Sequence, residues 1–508
     1  MIYFYLLGLA ALARISFWTE SFGVSVDESN YMAIAEAWDH YGTIYLDAVD
    51  RKPPLLYAVY WLLGKGFGFF HLHAIHLVAL LGTWGLAILA DRWGRNIDPK
   101  IPKGLTGVLV ILTSSSLSRE VLAFNSELVM MLFLMPGFYL LSQLDLNSRL
   151  IAQSGKIFLA GLLLGLACLV KQIAVLPIGM VAVFLWAWGW KGNIFLPSIK
   201  RTLILFAGFL SSFLFLFLIL HFAGNWQGFW DWVIFENLGY IRDAEKAVGH
   251  DSHPLSFLVP ILVTLIWLGL WIGSYRSVKK QFPNPYFLIA LGAAMGSLLT
   301  VYLGSRLFSH YFVPLLFFFP VVASAGIYEL FKTKFKNPIV ALVVLPFIFF
   351  ALFNSARDFW IRLGSDTKKI HSFDLATQAK LKEISTVIIK SSTAEDRMSI
   401  WGMAGQIFLM SERGSGTRFI YTDYVSGRLA GFSSNKSHPH PKAMEFFLTD
   451  LENKKPQIFV DLSGSKINDY QFFPLENFPA LRDYLQAHYQ KADAVLGAQI
   501  WKRRTDVP

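Results

Sequence analysis

Two short stretches decide how this chain is interpreted: VDESNY at residues 26–31 and RKPPLLY at residues 51–57. The first places two adjacent carboxylates, Asp27 and Glu28, soon after the first hydrophobic segment. The second places Lys52 and two prolines at the start of the next apolar stretch. Ionisable side chains are costly inside lipid, so charges in these positions predict a polar site at a membrane surface.

The composition is that of a membrane protein. Of 508 residues, 54% are hydrophobic and 16% are charged, whereas about a quarter of the residues in a soluble domain are charged. The mean hydropathy is +0.46, and 16 Trp, 45 Phe and 19 Tyr suit lipid-facing and interfacial surfaces. A single cysteine, Cys168, excludes an intrachain disulfide and a cysteine-based zinc site.

Apolar runs predict about eleven membrane spans, since a spanning helix needs roughly 20 apolar residues. The predicted spans are 1–18, 72–90, 104–118, 124–142, 157–170, 173–190, 202–222, 255–274, 285–304, 311–331 and 338–356. Residues 53–70 carry glycines at 64, 66 and 68 and predict an interfacial or re-entrant segment. Lys171 and Gln172 separate two spans because neither residue sits comfortably in lipid.

Basic residues fall in every second loop, as the positive-inside rule requires. The basic clusters are Arg92, Arg95, Lys100 and Lys103; Arg149 and Lys156; Lys191, Lys200 and Arg201; Arg276, Lys279 and Lys280; Lys332, Lys334 and Lys336. This pattern predicts a cytoplasmic N-terminus, an external C-terminus and external loops at 19–71, 119–123, 171–172, 223–254 and 305–310. It also explains the net charge of +10 without a nucleic-acid partner.

The composition changes after residue 357. Strand-like runs occur at 387–389, 398–401 and 457–460, and helical segments are predicted at 373–385, 441–453 and 479–490. Alternating strands and helices are typical of an α/β domain. We therefore expect a transmembrane domain over residues 1–356, followed by an extracytoplasmic α/β domain over 357–508.

Asp27 begins a segment in which apolar residues recur at helical spacing, which predicts an amphipathic helix lying on the membrane surface. Asp27 is therefore either the N-cap of this helix or a catalytic base at the external interface. Glu127 begins another apolar span, where a carboxylate is costly, so it is either part of a site or held in a local ion pair.

Cations from distant segments are predicted at the same external edge. They are Lys52, Lys171, Arg119, Arg306 and His310. Any one of them alone is usually a snorkelling side chain, but several together would bind an anionic lipid headgroup, because Lys and Arg bind phosphate strongly. Such groups suit glycosyl transfer from a lipid phosphate, which needs cations for the departing phosphate and one base for the acceptor.

Over nearly its whole length the chain resembles the GT-C glycosyltransferases, in the branch related to protein O-mannosyltransferases and the lipid A aminoarabinose transferase. The matching pieces are Asp27-Glu28-x-x-Tyr31, Lys52-Pro53-Pro54-Leu55, Asn125-Ser126-Glu127, Leu169-Val170-Lys171, Arg306 with His310-Tyr311, the 223–254 loop with Asn237 and Tyr240, and the tail segments 400–402 and 456–460. Glu127 stands where many relatives have Asp.

The resemblance implies a polytopic helical fold, a polyprenyl-phosphate sugar donor and inversion by direct displacement. Asp27 would be the base, Glu28 and Glu127 would orient donor or acceptor, and Lys52, Lys171, Arg306 and His310 would contact the lipid phosphate. Secondary site candidates are Tyr31, Arg119, Asn125 and Tyr311. No cofactor is expected to be required, although the family leaves open a divalent cation, Mg²⁺ or Mn²⁺.

The expected partners are the lipid donor, membrane lipids and a protein, lipid or glycan acceptor, in a prokaryotic plasma membrane. Two other classes of function remain open at this point. A transporter or flippase would carry ionisable groups near the middle of the bilayer, whereas the predicted spans are nearly free of central charge. A non-catalytic scaffold presenting the tail domain would not require Asp27, Lys52 or Arg306.

Overall fold

The computed structural model describes residues 1–15, 25–116, 119–144, 150–191, 195–239, 268–282, 284–303, 308–332, 373–429 and 438–505. The chain divides into two compact units. The first unit spans Met1–Thr19, Ile75–Ile219 and Ser252–Trp360. The second unit spans Glu20–Ala74, Leu220–Asp251 and Ile361–Pro508, so it combines the first long loop with the C-terminal tail.

The first unit is built from helices, most of them apolar. They are Ile2–Ala13, Leu105–Thr113, Ser126–Leu141, Leu150–Val170, Val175–Lys191, Leu268–Gln281, Pro285–Leu303 and Val313–Lys332, together with most of His73–Ile97 and Phe195–Phe222. Within the described ranges, five segments are long and apolar enough to cross a membrane: His73–Ile97, Ile151–Val170, Ile199–Phe222, Pro285–Tyr302 and Ser309–Leu330.

The predicted spans fall on these helices wherever the structure describes them. The break at Lys171 is confirmed, because its backbone is extended (φ −154°, ψ 125°) between the helices ending at Val170 and beginning at Val175. Within residues 53–70 the structure has the 14-residue helix Pro54–Phe67. Its interfacial or re-entrant placement stays a prediction. The span at 338–356 and most of 255–274 lie outside the described residues, so the count of about eleven spans stays a prediction.

Glycines bring two helices of the first unit into backbone contact. A Cβ atom on Gly161 would lie 2.0 Å from the carbonyl oxygen of Leu205, and one on Gly208 would lie 2.1 Å from that of Phe158. Small residues allow such close approach between membrane helices, where lipid gives little hydrophobic drive for association. Leu150–Val170 and Phe195–Phe222 therefore pack through their glycines.

Replacing Gly161 with alanine is expected to destabilise the protein by about 1–3 kcal/mol, because the backbones must separate to admit the methyl group. Thermal unfolding of the purified protein in lipid nanodiscs would measure the loss. Gly155→Ala is the matched control on the same helix, since a Cβ there meets no atom within 4 Å in the part of the chain that the structure describes. Equal melting temperatures for the two variants would contradict this packing.

In the second unit, the helix Val26–Tyr41 is confirmed, but two expectations about it are wrong. Its N-cap is Ser25, whose hydroxyl accepts a hydrogen bond from the backbone N–H of Asp27 at 3.2 Å, so Asp27 lies in the first turn. Residues 28–35 are buried on every side, so this part of the helix lacks the exposed face expected of an amphipathic helix, while its place at the membrane surface stays a prediction. Gly405, at the start of the tail helix Gly405–Ser411, packs against Asn30, which explains this burial.

The tail forms a four-stranded sheet in the order β1-β2-β4-β3. The strands are β1 (Met398–Trp401), β2 (Ile458–Asp461), β3 (Tyr489–Val495) and β4 (Ala498–Arg503). β1 and β2 are parallel, while β4 is antiparallel to both of its neighbours. Helices Phe373–Ser391, Ala443–Lys454 and Pro479–His488 complete the predicted α/β domain.

The predicted strand at 387–389 is wrong, because these residues belong to the helix Phe373–Ser391. Leu381, Ile384 and Ile388 are all buried at helical spacing, and this apolar stripe overrides the local β-branched run. β3 and β4 were not predicted. β3 is exposed over most of its length, so it shows little hydrophobic alternation.

Candidate functional site

The predicted carboxylate and cation of the first loop lie beside one tyrosine. Tyr31, one turn after Asp27 on the same helix, donates a hydrogen bond to Asp27 Oδ2 at 3.3 Å. The ammonium group of Lys52 lies 5.7 Å from the centre of the Tyr31 ring. Asp27 and Lys52 are half-buried, whereas Glu28 is fully buried. We call Asp27, Tyr31 and Lys52 the Asp27 cluster.

A second carboxylate, Asp50, lies two residues before Lys52 and was not singled out from the sequence. It is buried and accepts hydrogen bonds from the phenols of Tyr57, Tyr421 (2.6 Å) and Tyr424 (2.8 Å). We call these four residues the Asp50 cluster. Burial alone would raise the pKa of Asp50, but the charge of Lys52 and the phenol hydrogen bonds hold it below its ordinary value.

The backbone between Asp50 and Pro53 is fixed by two further side chains. Asn237 donates to the carbonyl of Arg51 at 2.7 Å, and Tyr45 donates to the carbonyl of Lys52 at 2.8 Å. Pro53 then caps the helix Pro54–Phe67. Lys52 is therefore held at the N-terminus of a helix, where the helix dipole adds to its positive charge.

Ion pairs and hydrogen bonds join several predicted residues of the first unit. Lys171 forms a buried ion pair with Glu127, whose Oε1 lies 3.8 Å from His310 Nε2. The other ring nitrogen of His310 lies 3.2 Å from Glu120 Oε2. The ammonium of Lys171 also lies 4.8 Å from the centre of the Tyr311 ring. Together with Asn125, these residues are the Glu127 cluster.

Asn125 and Glu120 connect this cluster to the short loop before Ser126–Leu141. The side-chain amide of Asn125 donates to the Glu120 carbonyl at 3.0 Å. Ser309 donates to the Glu120 carboxylate at 2.7 Å. Burial would raise the pKa of Glu120, but the hydrogen bond and charge of His310 lower it below its usual range. A histidine between two carboxylates can hold or pass a proton.

Breaking the ion pair of Glu127 and Lys171 is expected to destabilise the protein by about 3–5 kcal/mol, because either single change leaves a buried charge without its partner. The Lys171 side chain is 8% exposed and that of Glu127 is 0% exposed. Thermal unfolding of Glu127→Gln, Lys171→Met and the double variant would measure this loss. The double variant should be more stable than the sum of the two single losses predicts.

Glu329→Gln provides the control for this cycle. It removes a pair with Lys280 whose side chains are 37% and 38% exposed, and such pairs contribute about 0–1 kcal/mol. Strictly additive losses in the double variant would contradict a direct pair between Glu127 and Lys171.

Not every predicted residue can be located. Arg306 and Tyr240 lie outside the described residues, as does the side chain of Arg119. Among the residues that the structure describes, no group of three or more His, Cys, Asp or Glu is arranged to hold a metal ion. The metal requirement stays a prediction.

Asp50 and its tyrosines could have been only partly recognised in the sequence. Asp50 precedes Arg51 and Lys52 directly, so three charges adjoin the two prolines. Tyr421 and Tyr424 are spaced to share one face of a helical turn. Nothing in either segment identifies the other as its partner.

No protein-family model matches this chain, and no curated protein sequence matches it either. Solved structures do match. ArnT from Cupriavidus metallidurans bound to undecaprenyl phosphate superimposes with a TM-score of 0.64 at 12% identity, covering 99% of this chain and 98% of that one. In the apo state the same protein gives a TM-score of 0.60 at 13% identity, covering 97% and 95%.

The oligosaccharyltransferase of Archaeoglobus fulgidus, in complex with Zn and sulfate, gives a TM-score of 0.51 at 12% identity. The match covers 100% of this chain and 74% of the archaeal chain. At these identities the likeness establishes the fold alone. This chain therefore has the GT-C fold, the polytopic helical membrane architecture that ArnT and the archaeal oligosaccharyltransferase share.

Proposed function

We propose that this protein is a glycosyltransferase that moves a sugar from a polyprenyl-phosphate donor to an acceptor on the external face of the membrane. The observation that carries the proposal is the match over 99% of the chain to ArnT bound to undecaprenyl phosphate. The Asp27 cluster adds chemical support, since it combines a half-buried carboxylate with a cation held at a helix N-terminus.

In the proposed reaction, the acceptor hydroxyl or amine attacks the anomeric carbon as the bond from that carbon to the phosphate oxygen breaks. The acceptor proton passes to the Asp27 carboxylate, which the Tyr31 hydroxyl orients. The lipid phosphate departs with the bonding electrons, and Lys52 stabilises its growing negative charge. A phosphate leaving group needs no protonating acid, and one displacement inverts the anomeric centre.

The Glu127 cluster supports a positioning role better than a purely cationic one. Lys171 shares its charge with Glu127, which reduces the positive charge that it offers to a phosphate. We propose that Glu28 and Glu127 orient the donor or acceptor, and that Lys171, His310 and Arg306 contribute to phosphate binding. Asn125, Tyr311 and Arg119 remain secondary candidates.

The topology inferred from the basic loops gives the remaining parts of the proposal. The N-terminus would be cytoplasmic and the tail external, in a prokaryotic plasma membrane, with a transmembrane domain over 1–356 and an extracytoplasmic domain over 357–508. The acceptor would be a protein, a lipid or a glycan, and a divalent cation stays open.

Lys52→Met is expected to lower the rate of transfer about 10²–10³-fold, the usual cost of losing one donor to a developing anion. The protein would be reconstituted in liposomes with a panel of polyprenyl-phosphate sugars and a membrane extract as acceptor. Release of free polyprenyl phosphate is the readout. Lys65→Met is the control, because Lys65 is half exposed and pairs with Asp39 on the protein surface.

The same assay separates the competing functions. Release with one donor that requires Lys52 would establish the transferase and identify its sugar. Movement of lipid or sugar across the bilayer without release would establish a transporter instead. Release that persists in Lys52→Met at the wild-type rate would remove Lys52 from the proposed mechanism.

A further inference from the structure

The second unit contains an open pocket that the proposed mechanism does not use; its empty space of ≈ 430 Å³ includes solvent at its mouth. Its lining includes two guanidinium groups, two carboxylates and two imidazoles: Arg51, Arg428, Glu236, Asp423, His438 and His440. Its lining is polar and part of its space is open to solvent, which suits a single polar ring or a short polar fragment better than a lipid chain.

The charges that line the pocket balance. Arg428 donates to Asp423 Oδ2 at 2.8 Å, and both side chains are buried. Tyr470 donates to the other oxygen of Asp423 at 2.9 Å. Burial lowers the pKa of His440, so this imidazole is neutral at pH 7. Among the described residues that line the pocket, two guanidiniums facing two carboxylates leave no excess positive charge, which argues against a phosphate ligand.

The same groups suit a ligand that carries many hydroxyls. Each hydroxyl both donates and accepts, so it can bridge a guanidinium and a carboxylate. The buried Nε of Arg428 makes no hydrogen bond within the described ranges. Tyr424 and the His440 ring, which stacks on Trp232 at 4.6 Å between ring centres, add flat apolar surface for a sugar ring.

We propose that this pocket binds an uncharged pyranose ring, which belongs either to the lipid-linked donor or to a glycan acceptor. The chemistry of the pocket stands on its own, whereas the role of the ring in transfer rests on the proposed function. Arg51 adjoins Lys52 in the chain, so the pocket begins beside the proposed phosphate-binding residue.

Ligand-observed NMR on the full chain in lipid nanodiscs, free of glycoside detergents, tests the binding. The probes are methyl glycosides of hexoses and N-acetylhexosamines. Glu236→Gln removes one acceptor charge, and Gly239→Leu fills the pocket at a position where a Cβ meets no atom of the described residues within 4 Å. Glu383→Gln, on an exposed helix face, and Gly66→Leu, at an equally open glycine, are the matched controls.

We expect at least one glycoside to bind wild type and both controls. It should bind Glu236→Gln about tenfold more weakly or worse, the usual scale for one charge-assisted hydrogen bond, and should not bind Gly239→Leu. Absence of binding by every glycoside, equal binding by Gly239→Leu, or displacement by inorganic phosphate would each overturn the proposal.

The transfer assay then distinguishes the two sources of the ring. A rise in KM for the lipid donor alone, in either pocket variant, would assign the ring to the donor, and a rise for the acceptor alone would assign it to the acceptor. Glycoside binding without any transfer would retain the pocket and refute the proposed function. Transfer with both KM values unchanged in Gly239→Leu would overturn the pocket.

Discussion

Asp27→Asn is expected to lower the turnover number for sugar transfer about 10²–10⁴-fold, the range that a positioned general base contributes. Asparagine keeps the size of the side chain and an oxygen that accepts from Tyr31, but it cannot take a proton. Since Ser25 caps the helix Val26–Tyr41, the substitution leaves the start of the helix intact. Release of polyprenyl phosphate at saturating donor and acceptor would measure the effect.

Two further variants make this result specific. Asp47→Asn is the control, because Asp47 lies in the same loop and is only weakly paired with Lys454 at 3.4 Å. Tyr31→Phe should cost less than Asp27→Asn, since it removes only the group that orients the carboxylate. A turnover number for Asp27→Asn within a factor of two of wild type would remove Asp27 as the base.

Asp50→Ala is expected to destabilise the protein by at least about 3 kcal/mol, because three buried phenols lose their acceptor and each unsatisfied buried donor costs about 1–3 kcal/mol. Transfer should fall as well, since the same carboxylate fixes the segment that carries Lys52. Thermal unfolding in nanodiscs and the transfer assay on one preparation would measure both losses. Tyr421→Phe and Tyr424→Phe, which each remove one phenol, should each cost less.

Low pH should reduce the stability that the Asp50 cluster contributes. The pKa of Asp50 is lower in the folded protein than its ordinary value of about 3.9. Its contribution to stability is therefore complete above the unfolded pKa and is lost as the pH falls through the folded pKa. The stability difference between wild type and Asp50→Ala should shrink in strong acid. A difference that stays constant down to pH 2 would contradict this role of the carboxylate.

The helical part of the fold could be predicted because its signals are local. Apolar runs of spanning length, and a charged residue such as Lys171 between two of them, report directly on membrane insertion. The strand predicted at residues 387–389 is wrong because a β-branched run and a helical apolar stripe overlap there. Burial of Leu381, Ile384 and Ile388 stabilises the helix over the strand.

The candidate site could be predicted only in pieces. Asp27 and Lys52 are only 25 positions apart, and each lies beside a local signal, the start of a helix for Asp27 and two prolines for Lys52. Both could therefore be proposed as site residues from the sequence. The bonds from Tyr421 and Tyr424 to Asp50 connect residues 371 and 374 positions apart. No local pattern encodes such a pairing. The same limit applies to Glu127 and Lys171, which a single sequence presents as two unrelated charges.

The first loop and the tail belong to one compact unit, so this unit can form only after the tail has been synthesised. Ribosomes add about 5–20 residues per second, so the 371 positions that separate Asp50 from Tyr421 correspond to roughly 20–75 s of synthesis. During that interval Asp50 and Tyr57 are already translated, while Tyr421 and Tyr424 do not yet exist. A chain that ends before Tyr421 can hold the Asp50 carboxylate through Tyr57 but lacks the two tail phenols that bind it in the complete unit. The segment that carries Asp50 and Lys52 therefore gains its full set of hydrogen bonds only after the tail has been synthesised.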